Sequence, residues 1–110
     1  MSVEDLKTID CIGIPIENPN EVNLGISDHL DWDASFDEHL FLLQEKLNTY
    51  LRFIESGEIY QSFPPATQTT KKVIEIFCKY QPSSQANPFL NHVTDCIKEL
   101  GIELKIKVEG

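Results

Sequence analysis

The sequence lacks the features of membrane-spanning, secreted and disulfide-bonded proteins. No apolar run approaches the roughly 20 residues of a membrane span, and the acidic first residues lack the basic-then-apolar order of a signal peptide. The three cysteines, Cys11, Cys78 and Cys96, lie far apart within apolar runs, which predicts buried reduced thiols rather than disulfides or a zinc site. We therefore expect a cytoplasmic protein.

Basic residues are also scarce. The 110 residues include 9 Lys and Arg against 18 Asp and Glu, which gives a formal charge of -9. The acidity is concentrated in residues 1–60, which contain thirteen carboxylates and only three basic side chains. Such a field repels phosphate backbones and anionic lipids, so we expect neither nucleic-acid binding nor membrane binding. It favours basic partners or cations.

The motifs of common enzyme classes are missing. There is no glycine-rich phosphate loop, no GxSxG elbow and no HExxH zinc motif. Cys11 could act as a nucleophile only if the fold brought His29, His39 or His92 to it. The sequence thus favours a non-enzymatic protein, and we predict no catalytic residue and no cofactor.

The strongest pattern that is present is a long amphipathic helix over residues 35–56. Its apolar residues recur at spacings of three and four and form one stripe: Leu40, Leu43, Leu47, Leu51 and Ile54. Ser35 and Glu38 have the spacing of a capping box, which predicts the start of the helix. Gly57 supplies the residue that most readily adopts a left-handed conformation, which predicts its end.

Alternating apolar residues predict strands on both sides of this helix. Residues 9–16 and 22–27, joined by turn residues 17–21, indicate a hairpin. Pro15 cannot donate to a ladder, which predicts that the first strand lies at a sheet edge or ends there. Residues 71–80 indicate a central strand, and residues 102–109 a last strand with one solvated side.

A second helix separates these last two strands. Asn87 is expected as its N-cap and Pro88 as its first helical residue, and Gly101 ends it. Residues 1–8 show no pattern and are expected to be loose. We therefore predict one α+β domain over residues 1–110, a two-layer α/β sandwich of order ββαβαβ with a four-stranded sheet and two helices on one face.

An acidic segment lies where the second strand hands over to the long helix. We predict that five of its residues bind a protein partner, which the charge suggests is basic: Asp28, His29, Asp31, Trp32 and Asp33. An exposed Trp32 would be a hot spot, and Trp32→Ala would then weaken binding without loss of folding.

Two alternatives remain open for this segment. Carboxylates and imidazoles are metal ligands, so Asp28, His29, Asp31 and His39 are candidates for a divalent-metal site or a metal-dependent hydrolase. Alternatively, acidic residues ahead of a helix only stabilise its positive end, and Trp32 covers the end of the core.

The uncovered sheet face is a further candidate surface. We expect it to carry small and partly polar residues: Cys11, Gly13, Asn23, Gly25, Ser27, Val73, Phe77 and the terminal lysines. A second copy of the chain could pack on this face and form a homodimer.

Two stretches carry a resemblance to a known family. ISDHLDW, residues 26–32, and LLQEKLNTYLRFIESGEIY, residues 42–60, resemble a family of small uncharacterised bacterial proteins that pair them. The resemblance implies a single-domain bacterial cytoplasmic protein and implies no activity, cofactor or catalytic residue.

Overall fold

A computed structural model describes residues 3–109 and contains one four-stranded sheet and three α-helices. The elements follow in chain order: β1 (Cys11–Gly13), β2 (Glu21–Asp28), α1 (Phe36–Glu55), α2 (Glu58–Ser62), β3 (Lys71–Cys78), a 3₁₀ turn (Ser84–Ala86), α3 (Asn87–Glu99) and β4 (Ile102–Val108). The predicted α+β class and the order ββαβαβ are confirmed, with α2 as a short addition.

The strands follow one another across the sheet in the order β1-β2-β3-β4. β1 and β2 form the predicted antiparallel hairpin at one edge. The other neighbours are parallel, with Ile26 opposite Ile76 and Ile76 opposite Ile106. Parallel neighbours need crossover connections, which α1 and α3 supply. β3 is central, as predicted.

The core lies between the helices and one face of the sheet. Alternate residues of the strands point into it, as the period of two requires, and helix residues pack against them: Val22, Leu24, Ile26, Ile74, Ile76, Ile102 and Leu104 from the sheet, and Leu43, Leu47, Tyr50, Leu90 and Ile97 from α1 and α3. Val73 is fully buried but lies outside this cluster, on the opposite face of β3. The helices therefore cover a single face.

Several boundaries differ from the sequence prediction. β1 is only three residues long, and Ile16 beyond Pro15 is fully exposed instead of facing the core. Ser35 precedes α1 but makes no side-chain cap. Asn87 is already helical, because the turn before it leads directly into α3. Gly57, with φ of 83°, ends α1 as predicted.

The expectation of a loose start is wrong for the residues that the structure describes. Residues 3–10, here called the N-terminal strap, lie against α1 and the β2 edge. Val3 is fully buried and donates its backbone N–H to the Ser27 carbonyl at 2.9 Å. Lys46 Nζ donates to the carbonyls of Asp5 and Thr8. Residues 1 and 2 lie outside the described part of the chain.

The prediction that the cysteine thiols are buried holds for one of the three. Cys78 is buried, whereas Cys11 and Cys96 are exposed, and all three are free. Cys11 is exposed because it lies on the uncovered face of an edge strand, and Cys96 because it lies on the outer side of α3. None of the helices within residues 3–109 is long and apolar enough to cross a membrane.

Candidate functional site

A cavity of about 340 Å³ opens beside the connection from β2 to α1. Its wall combines the N-terminal strap, the connecting loop of residues 29–35 and the first two turns of α1: Glu4, Leu30, Asp31, Ala34, Ser35, Glu38, His39 and Leu42. Three of these residues carry carboxylates and none is lysine or arginine. We call this feature the acidic cavity.

Two aspartates shape the loop that borders the cavity. Asp28 Oδ1 accepts the backbone N–H of Leu30 at 3.2 Å, and Asp31 Oδ1 accepts that of Asp33 at 2.8 Å. Each is an Asx-type turn, in which a side-chain oxygen replaces a backbone carbonyl two residues earlier. These bonds bring Leu30 and Asp31 to the cavity wall.

A buried carboxylate–imidazole pair joins the loop to α1. His39 Nε2 lies 2.8 Å from Asp28 Oδ1 and 2.7 Å from Asp28 Oδ2, and both side chains are almost completely buried. Asp28 is the last residue of β2 and His39 lies in the first turn of α1. The pair therefore fixes the distance between the strand end and the helix start, and so the width of the cavity.

Trp32 covers this pair. Its ring centroid lies 3.9 Å from that of His39, with an angle of 30° between the ring planes, and its side chain is 3% exposed. The indole Nε1 and His39 Nδ1 are both buried, and neither has a hydrogen-bond partner among residues 3–109. Trp32 is thus a cover over the end of the core, which was the structural alternative considered from the sequence.

The N-terminal strap contributes the third carboxylate. Val3 is anchored to Ser27 by its backbone N–H, which places Glu4 beside the loop. Glu4 Oε1 lies 2.9 Å from His29 Nε2, and both side chains are about half exposed. This pair closes the strap onto the loop at the rim of the cavity.

The predicted partner-binding residues divide into two groups. Asp28 and Trp32 are buried at 1% and 3% exposure, so neither can be a surface contact in this conformation. The condition on which Trp32 would be a hot spot, exposure to solvent, is therefore not met in this structure. His29, Asp31 and Asp33 are exposed on the loop, and their role in binding stays a prediction.

The metal candidates do not converge. His39 contacts Asp28, whereas His29 contacts Glu4 and Asp31 accepts a backbone N–H in its own loop. Within residues 3–109, no three His, Cys, Asp or Glu side chains are grouped closely enough to hold a metal ion. Of the four candidates only Asp28 and His39 are in contact with each other, and the interpretation of this segment as a metal site stays a prediction.

The structure also gives each histidine a partner other than Cys11. His29 pairs with Glu4 and His39 with Asp28. His92 Nε2 lies 3.6 Å from Cys96 Sγ on the surface of α3. The arrangement that a nucleophilic Cys11 would require is therefore not formed.

Cys78 is a buried thiol at the end of β3. Burial, followed by the nearby charge of Asp28, raises the pKa of the Cys78 thiol to about 12. Cys78 pairs with Asp28 across β2 and β3. Its thiol is therefore neutral and unreactive at physiological pH, because the thiolate is the nucleophilic form.

Sequence reasoning missed the residues that come from outside the acidic segment. Glu4 reaches the cavity only because the strap folds back, and no local pattern predicts that contact. Leu42 lies outside the five-residue stripe of the predicted helix and contributes to the cavity wall from α1. One signal was available: Lys46 interrupts the apolar stripe between Leu43 and Leu47, which points to a buried partner for its charge.

The fold and the cavity together define a small α+β protein with an acidic cavity beside the start of its long helix. The chain belongs to DUF6572, a family of unknown function, whose family model matches residues 1–110. This agrees with the resemblance to an uncharacterised family, while the bacterial origin stays a prediction. No curated protein and no solved structure matches the chain.

Proposed function

We propose that this chain is a non-enzymatic protein-binding module and that its acidic cavity takes a lysine or arginine side chain of a basic partner. The observation that carries the proposal is the composition of the cavity wall. Glu4, Asp31 and Glu38 supply negative charge, and Leu30 and Leu42 supply apolar surface.

This combination matches a long basic side chain. Lysine and arginine have an apolar stem and a charged head, and they bind best where the stem lies against apolar groups while the head reaches carboxylates. The cavity is about 340 Å³ in volume, which is enough for one such side chain. His29 and Asp33 are exposed at the loop and would contact the partner outside the cavity.

Long-range charge supports the same type of partner. Residues 1–60 hold thirteen of the 18 carboxylates of the chain, and the cavity is built entirely from this half. A concentrated negative field attracts a basic surface and accelerates its association. Association should weaken as salt is added, because exposed charges are screened within about 8 Å at physiological ionic strength.

The experiment measures binding of fluorescein-labelled tetra-arginine and tetra-lysine peptides by anisotropy, at low and at physiological salt. Tetra-glutamate serves as the negative peptide. Glu38→Gln removes one carboxylate of the cavity and should weaken binding by about fivefold, since an exposed ion pair contributes up to about 1 kcal/mol.

Asp37→Asn is the matched control, because Asp37 adjoins Glu38 in sequence but does not line the cavity. It carries the same charge change and should leave binding nearly intact. Equal losses in the two variants would mean that only net charge matters. That result, or an affinity that salt does not change, would refute the proposed site.

A further inference from the structure

The sheet face opposite the helices has a composition unlike the rest of the chain. Its residues follow from the strand period and the register: Cys11 and Gly13 on β1; Glu21, Asn23, Gly25 and Ser27 on β2; Lys71, Val73, Glu75 and Phe77 on β3; Glu103, Lys105 and Lys107 on β4. We call this surface the open face. It lies on the other side of the sheet from the core.

Charge on the open face is balanced. Three glutamates, Glu21, Glu75 and Glu103, stand against three lysines, Lys71, Lys105 and Lys107, in a chain whose formal charge is -9. Four of these six residues form two cross-strand ion pairs. Lys71 Nζ lies 2.9 Å from Glu103 Oε2, and Lys107 Nζ lies 3.2 Å from Glu75 Oε2. This pairing lowers the pKa of the Glu103 carboxyl.

The open face also carries one exposed aromatic side chain, Phe77, next to a small cavity. The Phe77 ring lies against Gly25, since a Cβ at Gly25 would lie 2.9 Å from Phe77 Cε2. Phe77 is nevertheless 41% exposed. It forms one wall of a cavity of about 250 Å³, whose other side is the β1 end at Cys11, Gly13 and Pro15.

Polar groups under this cavity are already withdrawn from solvent. Glu75 is 5% exposed, and Asn23 Nδ2 donates to its Oε1 at 3.0 Å. Asn23 Oδ1 is buried and has no hydrogen-bond partner among residues 3–109. Val73 beside them is fully buried. Glu75 and Val73 therefore have little contact with solvent even before a partner binds.

We infer that the open face binds a second copy of this chain in a twofold symmetric dimer, with Phe77 of each protomer placed in the cavity beside Phe77 of the other. In a twofold interface the same patch faces itself, so each protomer must supply both the protruding group and the hollow. The open face has both, side by side.

The balanced charge of the open face favours a second copy of the chain over a strongly basic partner. Two copies with a net charge of -9 repel through most approaches, but alternating lysines and glutamates can pair with the same pattern turned through 180°. A strongly basic partner would gain more at the acidic cavity, which lies outside the open face. The two surfaces are therefore independent, and the dimer does not require the proposed function.

The test is the molar mass of the full-length protein, measured by light scattering and by sedimentation equilibrium over a range of concentrations. We expect twice 12.6 kDa at high concentration. Phe77→Lys should give the monomer, because it places a charge in the apolar contact. Phe41→Lys is the matched control, since Phe41 is 57% exposed on α1, away from the sheet, and should leave the dimer intact.

Alkylation of Cys11 by iodoacetamide gives a second measurement that does not depend on a variant. Cys11 lines the cavity, so its reaction should slow as dimer forms, while the exposed Cys96 on α3 should react at one rate throughout. This readout decides the matter even if Phe77→Lys fails to fold. A monomeric mass at every concentration, a dimer that survives Phe77→Lys, or a Cys11 rate that is independent of concentration would overturn the inference.

Discussion

Trp32 shows how one residue can support two opposite interpretations of the same segment. Flanked by Asp31 and Asp33, it has the setting of a recognition hot spot, yet it is 3% exposed and stacks on His39. Burial of this large aromatic ring removes apolar surface from water and stabilises the fold. Its indole N–H has no partner among the described residues, so its contribution comes from packing.

We predict that Trp32→Ala lowers the free energy of unfolding by about 3–5 kcal/mol, because it leaves a cavity above the Asp28–His39 pair. Trp32→Phe should cost less, since it keeps an aromatic ring and removes an unpaired buried donor. Urea unfolding followed by circular dichroism measures both. An alanine variant as stable as the native protein would contradict this assignment.

Cys78 predicts how stability depends on alkaline pH. Its pKa is raised to about 12 in the folded protein, against about 8.5 for an unperturbed thiol. As pH rises, the unfolded chain therefore loses this proton before the folded protein does. The contribution of Cys78 to the free energy of unfolding is complete below about pH 8.5 and is lost as pH rises toward 12.

Between about pH 8.5 and 10, the Cys78→Ala variant should lose stability less steeply with pH than the native protein, by up to about 1.4 kcal/mol per pH unit. The upper limit of this window avoids Tyr50, whose pKa is also raised by burial. Denaturant unfolding at a series of pH values measures the two slopes. Parallel slopes would show that the thiol does not remain protonated in the fold.

At the scale of elements, β2 and α1 were predictable because each has a long periodic pattern of its own. The β1–β2 hairpin followed from turn residues, and Pro15 correctly marked the end of the edge strand. Short α2 was missed because five residues contain too little periodicity. Asn87 was assigned as a cap because local chemistry cannot reveal that the preceding 3₁₀ turn leads into the helix.

The N-terminal strap was the largest error at this scale, and its cause is long-range. Lys46 is fully buried on α1, and its Nζ lies 2.7 Å from Asp10 Oδ1. Asp10 Oδ2 accepts the backbone N–H of Ser27, and Tyr50 Oη accepts that of Asp10. These contacts join residues up to 40 positions apart. No pattern within residues 1–8 predicts them.

We predict that Lys46→Met lowers the free energy of unfolding by about 3–5 kcal/mol, because Asp10 is then buried without its counter-charge. Lys71→Met is the control, since the Lys71–Glu103 pair is exposed and solvent screens it. Thermal and urea unfolding should separate the two variants clearly. Similar midpoints for both would show that the strap is not held by this ion pair.

At the scale of the whole molecule, two surfaces differ in their charge. The acidic cavity concentrates carboxylates from the strap, the loop and α1, while the open face balances glutamates with lysines. The sequence indicated the acidic segment and the composition of the open face. It could not indicate that Glu4 is part of the cavity or that Asp28 and His39 form a buried pair, because both features depend on tertiary contacts.

The most direct test of the acidic cavity is a titration of the ¹⁵N-labelled protein with tetra-arginine, followed through its backbone amide signals. We predict that the shifts concentrate at the cavity wall, at Leu30, Asp31, Ala34 and Glu38, and that Glu38→Gln reduces them while Asp37→Asn does not. Shifts scattered over all acidic surfaces, or centred elsewhere, would contradict the assignment of this cavity as the binding site.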